Sequence, residues 1–268
     1  MAKTAAYRSA RRFADGGWST VNRAIPEEAP VLISPNAAPF AAVMASPADL
    51  EDLVVGFAVT ERLVGGAAEI GGIAVAAIDE GFEARMTIPP ARAAALADRK
   101  RAFAARTSCS LCGLEELDML LAGGARTMTK GPNFRPSVLL AAMTALPMAQ
   151  TMNAETHGVH AAGWVSPEGA LAYVREDVGR HNALDKLIGA LLRQGLDPAT
   201  GAVCLTSRCS VEMSLKAATV GIAVVVAASS PTELAVRAAE ATGMTLVAGV
   251  RDGTFDVYSG AHRLEETA

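Results

Sequence analysis

The chain has little of the residues that mark several common classes of protein. Aromatic residues make up 4% and charged residues 19% of its 268 residues, whereas 51% are hydrophobic. This much apolar material excludes an intrinsically disordered chain. No apolar run approaches the ~20 residues of a membrane-spanning helix, so no membrane partner is expected. Four cysteines are too few for a disulfide scaffold of this length.

The net charge and the N-terminal segment exclude further classes of protein. The formal net charge of −4 argues against general nucleic-acid binding through a basic face, although a local basic pocket stays compatible with it. Residues 1–28 are polar and Arg-rich without a sustained period, and they predict a loose N-terminal arm. This arm lacks the apolar core of a signal peptide. Together with the few cysteines, that predicts a protein of the reducing cytoplasm.

Hydrophobic patterning predicts a smaller N-terminal α+β portion over residues 29–135. A helix should begin at Ser46, with Ser46 as its N-cap and Pro47 as its first residue. Gly65-Gly66 should end it, and an Ala-rich helix is expected over residues 91–105. Strands are predicted at 31–33, 40–44, 73–78 and 82–88.

Residues 136–268 show alternating strand and helix patterns. Strands are predicted at 170–174, 203–206, 222–227, 245–250 and 255–258, and helices should begin at Pro136, Asn182, Ser210 and Ser230. These strands lack polar alternation, which is typical of strands buried on both faces. The prediction is an α/β fold whose mixed sheet is covered by helices on both faces.

The segment Cys109-Ser-Leu-Cys112-Gly113 carries the clearest chemical signal. Two thiols three residues apart follow Arg106, and Leu114 to Leu121 predicts a helix directly after the pair. A positive neighbour or a helix N-terminus lowers a thiol pKa and favours the reactive thiolate. The pair is therefore a candidate for sulfur chemistry, and the alternative is two small loop residues without a function.

A polar block from Arg175 to Lys186 lies between a predicted strand end and a helix start. Ligands of such sheets bind outside the carboxyl ends of the strands. Arg175, Arg180 and His181 would add positive charge to an anion site. Acceptors for a base or a sugar would come from Glu176, Asp177 and Asp185. The alternative is a solvated loop whose charges pair with one another.

Three further strand ends carry hydroxyl or charged residues. They supply Ser207 and Arg208, then Ser229, Ser230 and Thr232, and finally Arg251, Asp252 and Gly253. Each alone is compatible with ordinary helix capping. Facing one side of the sheet, they would line a single crevice of nucleotide size. Cys204 reads as a core residue of its strand, and Cys209 is ambiguous.

His157 and His160 with the cysteine pair raise the alternative of a zinc site. A deaminase-type site would need a Glu soon after the first histidine and a Pro before the cysteine pair. Gly158-Val159 and Ser108 stand there instead, so no metal site is predicted.

These motifs resemble the FdhD/NarQ family, the formate dehydrogenase accessory sulfurtransferases. The resemblance covers about residues 25–264, and its most specific segment is the Arg175 to Lys186 block. Its other segments are Ser46 to Leu53 with Gly56-Phe57, Ser108 to Gly113, His157 to Ala162, Ser207-Arg208 with Glu212, Met213 and Lys216, and Ser230 to Thr232.

The resemblance implies a cytosolic homodimer with a cytidine-deaminase-like fold that has lost the deaminase zinc site. A cysteine desulfurase would load a persulfide onto Cys109, with Cys112 assisting. The sulfur would pass to the molybdenum or tungsten bis(guanine dinucleotide) cofactor of formate dehydrogenase, for which a guanine nucleotide is a mimic. Val250, Arg251, Asp252, Gly253, Thr254 and Phe255 would fall in the cofactor-binding stretch, where Val250 replaces a usual aromatic.

Other functions compete with sulfur transfer. A non-enzymatic cofactor chaperone would use the cysteine pair only to dock a partner. A thioredoxin-like dithiol reductase is disfavoured because the pair does not follow an opening strand of a βαβ unit.

Overall fold

The computed structural model describes residues 3–96 and 126–265, which form three β-sheets and their covering helices. The N-terminal segment is the first departure from the sequence predictions. Strands β1 (Ala5–Ala14) and β2 (Gly17–Pro26) pair antiparallel, so the described part of residues 1–28 is a hairpin and the loose arm is wrong. Asp15 and Gly16, both at positive φ, form its two-residue turn.

The second sheet contains the strands predicted for the N-terminal portion. It consists of β3 (Ala29–Pro35), β4 (Ala41–Ala45), β5 (Gly72–Ile78) and β6 (Gly81–Thr87), in the order β4-β3-β6-β5. Helix α1 (Leu50–Thr60) packs on this sheet through Leu53 and Val54. The Ala-rich helix predicted at 91–105 is helical over residues 90–96, and the rest of it lies outside the described residues.

The third sheet is mixed and has six strands in the order β12-β11-β10-β9-β7-β8. Strands β9, β10 and β11 are parallel, while β7 and β12 run antiparallel to their neighbours. The bounds are β7 His160–Val165, β8 Leu171–Asp177, β9 Ala202–Leu205, β10 Val224–Ala227, β11 Thr245–Arg251 and β12 Thr254–Ser259. Strand β7 was not predicted, because its residues are mostly small and it contains only one β-branched residue.

Helices cover both faces of this sheet, as predicted. On one face, Leu139 and Met143 of α2 (Pro136–Ala145) pack against Cys204 and Val226. The short helix α3 (Thr151–Thr156) follows. The other face packs against α4 (Arg180–Arg193), α5 (Val211–Thr219) and α6 (Glu233–Thr242).

Helices α1 and α4 cross at very short range and join the two halves of the described chain. A Cβ atom at Gly56 would lie 1.8 Å from the Asp185 carbonyl oxygen, and one at Gly189 would lie 1.8 Å from the Asp52 carbonyl oxygen. One hydrophobic core therefore runs through both sheets, from Val31 to Leu246. The boundaries at residues 28 and 135 stay a prediction, as does the cytidine-deaminase-like detail of the fold.

Tertiary hydrogen bonds explain why α1 begins four residues after its predicted cap. The Ser46 N–H donates to Asp177 Oδ2 at 3.0 Å, and the Ser46 hydroxyl accepts from the Val178 N–H at 3.1 Å. Ser46 is therefore bound to the end of β8, and Asp49 at φ 51° takes the N-cap position without a side-chain cap. Among the described helices, none is long and apolar enough to cross a bilayer.

Candidate functional site

The carboxyl ends of four strands meet at one edge of the six-stranded sheet. Strands β8, β9, β10 and β11 all run toward this edge, because β7 lies antiparallel between β8 and β9. The loops after these strands therefore come together, as the sequence predicted. They contain residues 178–179, 206–210, 228–232 and 252–253.

A cleft of about 410 Å³ opens at this edge, on the face covered by α2. Val250, Arg251, Asp252 and Gly253 from the predicted stretch line one side of it. Its other walls consist of Leu140, Met143, Thr144, Pro147, Gln150, Asn153, Thr206 and Ala228. An apolar wall with a few polar groups is typical of a small-molecule site, and the volume suits a nucleotide-sized ligand.

A tight turn presents Arg251 to the cleft. Asp252 at φ 49° and Gly253 at φ 74° connect β11 to β12, and Arg251 pairs with Thr254 across the turn. The Thr254 hydroxyl donates to the Arg251 carbonyl at 2.9 Å, and Phe255 packs against the core beneath. Thr254 and Phe255 thus support the turn and are not among the residues that line the cleft.

The acidic residues of the Arg175 to Lys186 block face inward and do not serve as acceptors for a ligand. Glu176 accepts the N–H groups of Met152 and Asn153, each at 2.8 Å, at the start of α3. Asp185 accepts from Lys216 at 2.9 Å and from the Thr60 hydroxyl at 2.7 Å. Burial raises the pKa of Asp185, and the charge of Lys216 opposes that rise.

Arg175 is also occupied within the fold. Its Nε donates to Asp52 Oδ2 at 2.8 Å, and a second guanidinium N–H donates to the Val174 carbonyl at 2.9 Å. Arg175 thus binds β8 to α1. Its guanidinium is paired with the buried Asp52 carboxylate, and its role in anion binding stays a prediction.

Asp177 holds the loop that leads into α4. Its Oδ2 lies 2.6 Å from Lys186 Nζ, and both side chains are fully buried. Its Oδ1 accepts from the Gly179 N–H at 2.8 Å and from the Asn182 amide at 3.1 Å. These buried contacts of Asp177 therefore hold the first turn of α4 in place.

Arg180 and His181 follow this loop, and each has a buried side-chain nitrogen without a hydrogen-bond partner among the described residues. Arg180 Nε and His181 Nε2 are buried and make no hydrogen bond within the described part of the chain. His181 Nε2 lies 3.7 Å from Glu212 Oε2 of α5. Neither residue lines the cleft, so the structure separates them from Val250 to Gly253.

Both histidines near Arg180 favour their neutral form. Burial lowers the pKa of His181, the charge of Arg180 adds to the decrease, and Glu212 opposes it. Burial and the charge of Arg180 also lower the pKa of His160. The arginine can attract an anion, and a neutral imidazole beside it can accept a proton from a bound group.

The predicted hydroxyl residues divide between structural and exposed positions. Ser207 is nearly buried and donates to the Arg208 carbonyl at 3.0 Å. Thr232 caps α6 by accepting from the Ala235 N–H at 3.2 Å, so this helix begins at Glu233 and not at Ser230. Arg208, Ser229 and Ser230 are exposed at the strand edge, outside the residues that line the cleft.

The cysteines of the described chain are unsuited to thiolate chemistry. Burial raises the pKa of Cys204 to about 12 and that of Cys209 to about 11. Both pack in the core, which settles the ambiguity of Cys209. Cys109 and Cys112 lie outside the described residues.

Several residues that line the cleft were not predicted as site residues. Leu140 and Met143 belong to the helix predicted to begin at Pro136, and Gln150 and Asn153 belong to no motif. Thr206 was expected as a strand residue, and its hydroxyl accepts from the Ala161 N–H at 2.8 Å.

Comparisons with known proteins agree with this fold and extend over nearly the whole chain. Residues 26–265 match the model of the FdhD/NarQ family. A relative from Agrobacterium fabrum named "Sulfur carrier protein FdhD" is 42% identical over 262 residues, 97% of each chain. A relative of the same name from Xanthomonas axonopodis pv. citri is 42% identical over 258 residues, 96% of this chain and 92% of its own.

A solved structure is similar over the same extent. It comes from Desulfotalea psychrophila and is described as a candidate formate dehydrogenase accessory protein. The match covers 98% of this chain and 100% of the other, with a TM-score of 0.77 and 24% sequence identity. This likeness bears on the fold alone.

Proposed function

The chain belongs to the FdhD/NarQ family, and from this membership we propose that it is a sulfur carrier that serves a formate dehydrogenase. The observation that carries the proposal is the 42% identity, over nearly the full length, to relatives named as sulfur carrier proteins. In this proposal the chain accepts sulfur from a cysteine desulfurase and delivers it to the molybdenum or tungsten bis(guanine dinucleotide) cofactor. It works as a sulfurtransferase in the cytoplasm and as a homodimer.

The burial of Cys204 and Cys209 supports Cys109 and Cys112 as the reactive pair. A sulfur carrier needs a thiolate near neutral pH, and burial denies that form to Cys204 and Cys209. The two remaining cysteines are spaced to exchange one sulfur atom between them.

The proposed loading step is a thiol exchange. The Cys109 thiolate attacks the terminal sulfur of the desulfurase persulfide, and a new S–S bond forms as the donor thiolate leaves. In the release step the Cys112 thiolate attacks Cys109 Sγ, which forms a disulfide and frees the terminal sulfur at the oxidation level of sulfide. A cellular dithiol then reduces the disulfide.

The cleft supports the delivery half of the proposal. Arg251 and the backbone around Asp252 and Gly253 offer a cation and N–H groups to a phosphate. The apolar wall from α2 offers a surface for a base. The cofactor would bind here as cargo through a guanine nucleotide end.

Mass spectrometry of the intact chain tests the loading step. Incubation with a cysteine desulfurase and cysteine should add about 32 Da, the mass of one sulfur atom, to the thiol state of the protein. Cys109→Ala should abolish this adduct and the activation of the dehydrogenase. Cys209→Ala is the matched control, because Cys209 is buried, and it should keep both.

Two results would contradict the proposal. One is a wild-type chain that never acquires sulfur, which leaves a binding protein that acts as a chaperone. The other is a fully active dehydrogenase in cells whose only copy carries Cys109→Ala.

A further inference from the structure

A groove runs between α1, the C-terminal end of α4 and the start of β5. It consists of two cavities, of about 530 Å³ and about 560 Å³, which share Ala67, Ala68 and Leu192 in their walls. No residue that lines this groove also lines the cleft beside Val250 to Gly253. The groove is therefore a separate surface on which another group can bind.

The floor of the groove is apolar and only partly covered. Ile70, Ile73 and Leu192 pack against the core but stay partly accessible, and Leu196 is 36% exposed. Further apolar lining comes from Val55, Val59, Val64 and Val220. Apolar surface that leaves water on binding contributes stability, so the floor favours an occupant with an apolar face.

Arginines lie at one end of the groove. Arg62, Arg92 and Arg126 line the cavity of about 560 Å³. Arg92 pairs with Glu69, with 2.8 Å between Nε and Oε2, whereas Arg126 makes no ion pair with another described residue. Asp197 lines the same cavity, but its carboxylate caps the turn that follows it. This end of the groove is thus complementary to an acidic group.

The connectivity of the chain brings one stretch of it close to this groove. The Arg126 N–H donates to the Ala218 carbonyl at 3.3 Å, which fixes the backbone at Arg126. Residues 114–121 end five residues before Arg126, and five residues of extended chain span at most ~18 Å. The C-terminal end of this stretch is therefore tethered within reach of the groove.

Residues 114–121 have the sequence pattern of a helix that needs a surface to pack on. At 100° per residue, the leucines of this stretch fall within about 120° of the helix circumference. They are Leu114, Leu117, Leu120 and Leu121. Glu116 and Asp118 flank this leucine stripe, and Met119 lies opposite it. A helix of this length is marginal in water by itself, so the leucine stripe requires a complementary surface.

We propose that residues 114–121 dock in the groove, with the leucine stripe on the apolar floor and the acidic side chains beside the arginines. Cys112 precedes Leu114 by two residues, so docking holds the cysteine pair at the rim of the groove. The inference goes beyond the proposed function, because it assigns the surface that positions this part of the chain. It rests on that function only for the role of the two cysteines.

Hydrogen exchange followed by mass spectrometry tests the docking on the full-length chain without a desulfurase. The amides of residues 114–121 should exchange more slowly than those of an open chain. Leu117→Asp should lower their protection at least tenfold, because a carboxylate cannot replace a buried leucine. Met119→Asp is the matched control on the opposite side of the predicted helix, and it should keep the wild-type protection.

Substitutions in the groove test the other side of the contact. Leu196→Asp should also lower the protection at least tenfold, while circular dichroism stays that of wild type because this side chain is already accessible. Ile78→Asp, at an exposed residue outside the groove, should leave the protection unchanged. Arg126→Glu should lower it about threefold, and Glu116→Arg/Asp118→Arg in the same chain should restore it.

Three results would overturn the proposal. The first is a wild-type chain whose residues 114–121 exchange at the rate of an open chain. The second is protection that Leu117→Asp removes but Leu196→Asp keeps, which places the stretch on another surface. The third is protection that rises with protein concentration, which assigns the groove to the same stretch of a second copy.

The test separates docking from sulfur transfer. Cys109→Ala should retain the protection of residues 114–121, because no thiol takes part in the docking. A failure of docking therefore appears in the exchange rates alone, whereas a failure of the proposed function appears as a missing sulfur adduct in the mass of the chain.

Discussion

Each carboxylate at the start of α4 has a definite partner, and these pairings decide which side chains are left to meet a ligand. Asp177 binds Lys186 and Asp185 binds Lys216, all four within the protein interior. Removing one member of such a pair leaves a buried charge without compensation, at a cost of ~3–5 kcal/mol. The pairs thus hold the first turn of α4 rigidly and leave Arg180 and His181 at the strand edge.

The two histidines near Arg180 should make the stability of the protein depend on pH. Their folded pKa values lie below the ordinary 6.5, so the unfolded chain binds more protons as the pH falls. Their contribution to stability is therefore present above about pH 6.5 and is lost below it. The charges that face them are those of Arg180 for both histidines and of Glu212 and Lys216 for His181.

Urea unfolding between about pH 7.5 and about pH 5.5 measures this dependence. The double variant His160→Gln/His181→Gln should lose less stability over the range than wild type. His262→Gln, a change at an exposed histidine, should follow the wild-type curve. Equal slopes for the double variant and wild type would show that these histidines titrate as they do in the unfolded chain.

At the scale of elements, the crossing of α1 and α4 holds the architecture together. It allows the four-stranded sheet and the six-stranded sheet to share one core. The approach is close because Gly56 and Gly189 face the backbone of the opposite helix, where even a methyl group would overlap a carbonyl oxygen.

Gly56→Ala should therefore destabilise the protein by at least ~1–3 kcal/mol, because the helices must separate to admit the methyl group. Thermal unfolding followed by circular dichroism gives the magnitude. Gly72→Ala is the matched control, since a Cβ at Gly72 meets no atom within 4 Å, and it should change stability little. A Gly56→Ala chain as stable as wild type would mean that the two helices are not in direct contact in solution.

The helices and strands also show how much of the fold can be predicted from the sequence alone. Strands rich in β-branched residues, such as Val224 to Val226, and helices with a clear apolar face, such as α4, were predicted close to their observed bounds. The start of α1 was misplaced because Ser46 bonds to Asp177 and Val178, which are 131 and 132 residues away. Strand β7 has no pattern that separates it from a loop. The hairpin carries the turn signal Asp15-Gly16, but its polar strands lack the hydrophobic alternation that marks a strand pair.

Part of the candidate site could be predicted from the sequence, and part could not. Clustering of the strand ends followed from the topology, and the resemblance named the Val250 to Gly253 stretch that lines the cleft. Charge patterning could not show that Arg175, Glu176 and Asp185 point inward, because their partners Asp52, Met152 and Lys216 lie in other elements. The binding role of each cleft residue stays a prediction.

For the molecule as a whole, the cleft is the place where delivery can be tested apart from sulfur loading. We expect a guanine nucleoside diphosphate to bind there, with its phosphates near Arg251. A hydrogen bond to a charged group contributes ~1.5–3 kcal/mol, so Arg251→Ala should weaken binding by about tenfold or more. Isothermal titration calorimetry measures this, and added salt should lower the wild-type affinity.

Two controls tie that result to the cleft. Arg237→Ala removes a cation from α6, outside the cleft, and should leave the affinity unchanged, whereas Cys109→Ala should bind the nucleotide like wild type but carry no sulfur. If Arg251→Ala binds as tightly as wild type while Arg180→Ala loses affinity, the nucleotide belongs at the start of α4 and not in the cleft. If Cys109→Ala still binds the nucleotide, the two halves of the proposed function are separable. Binding of the cargo would then not depend on the cysteine that accepts the sulfur.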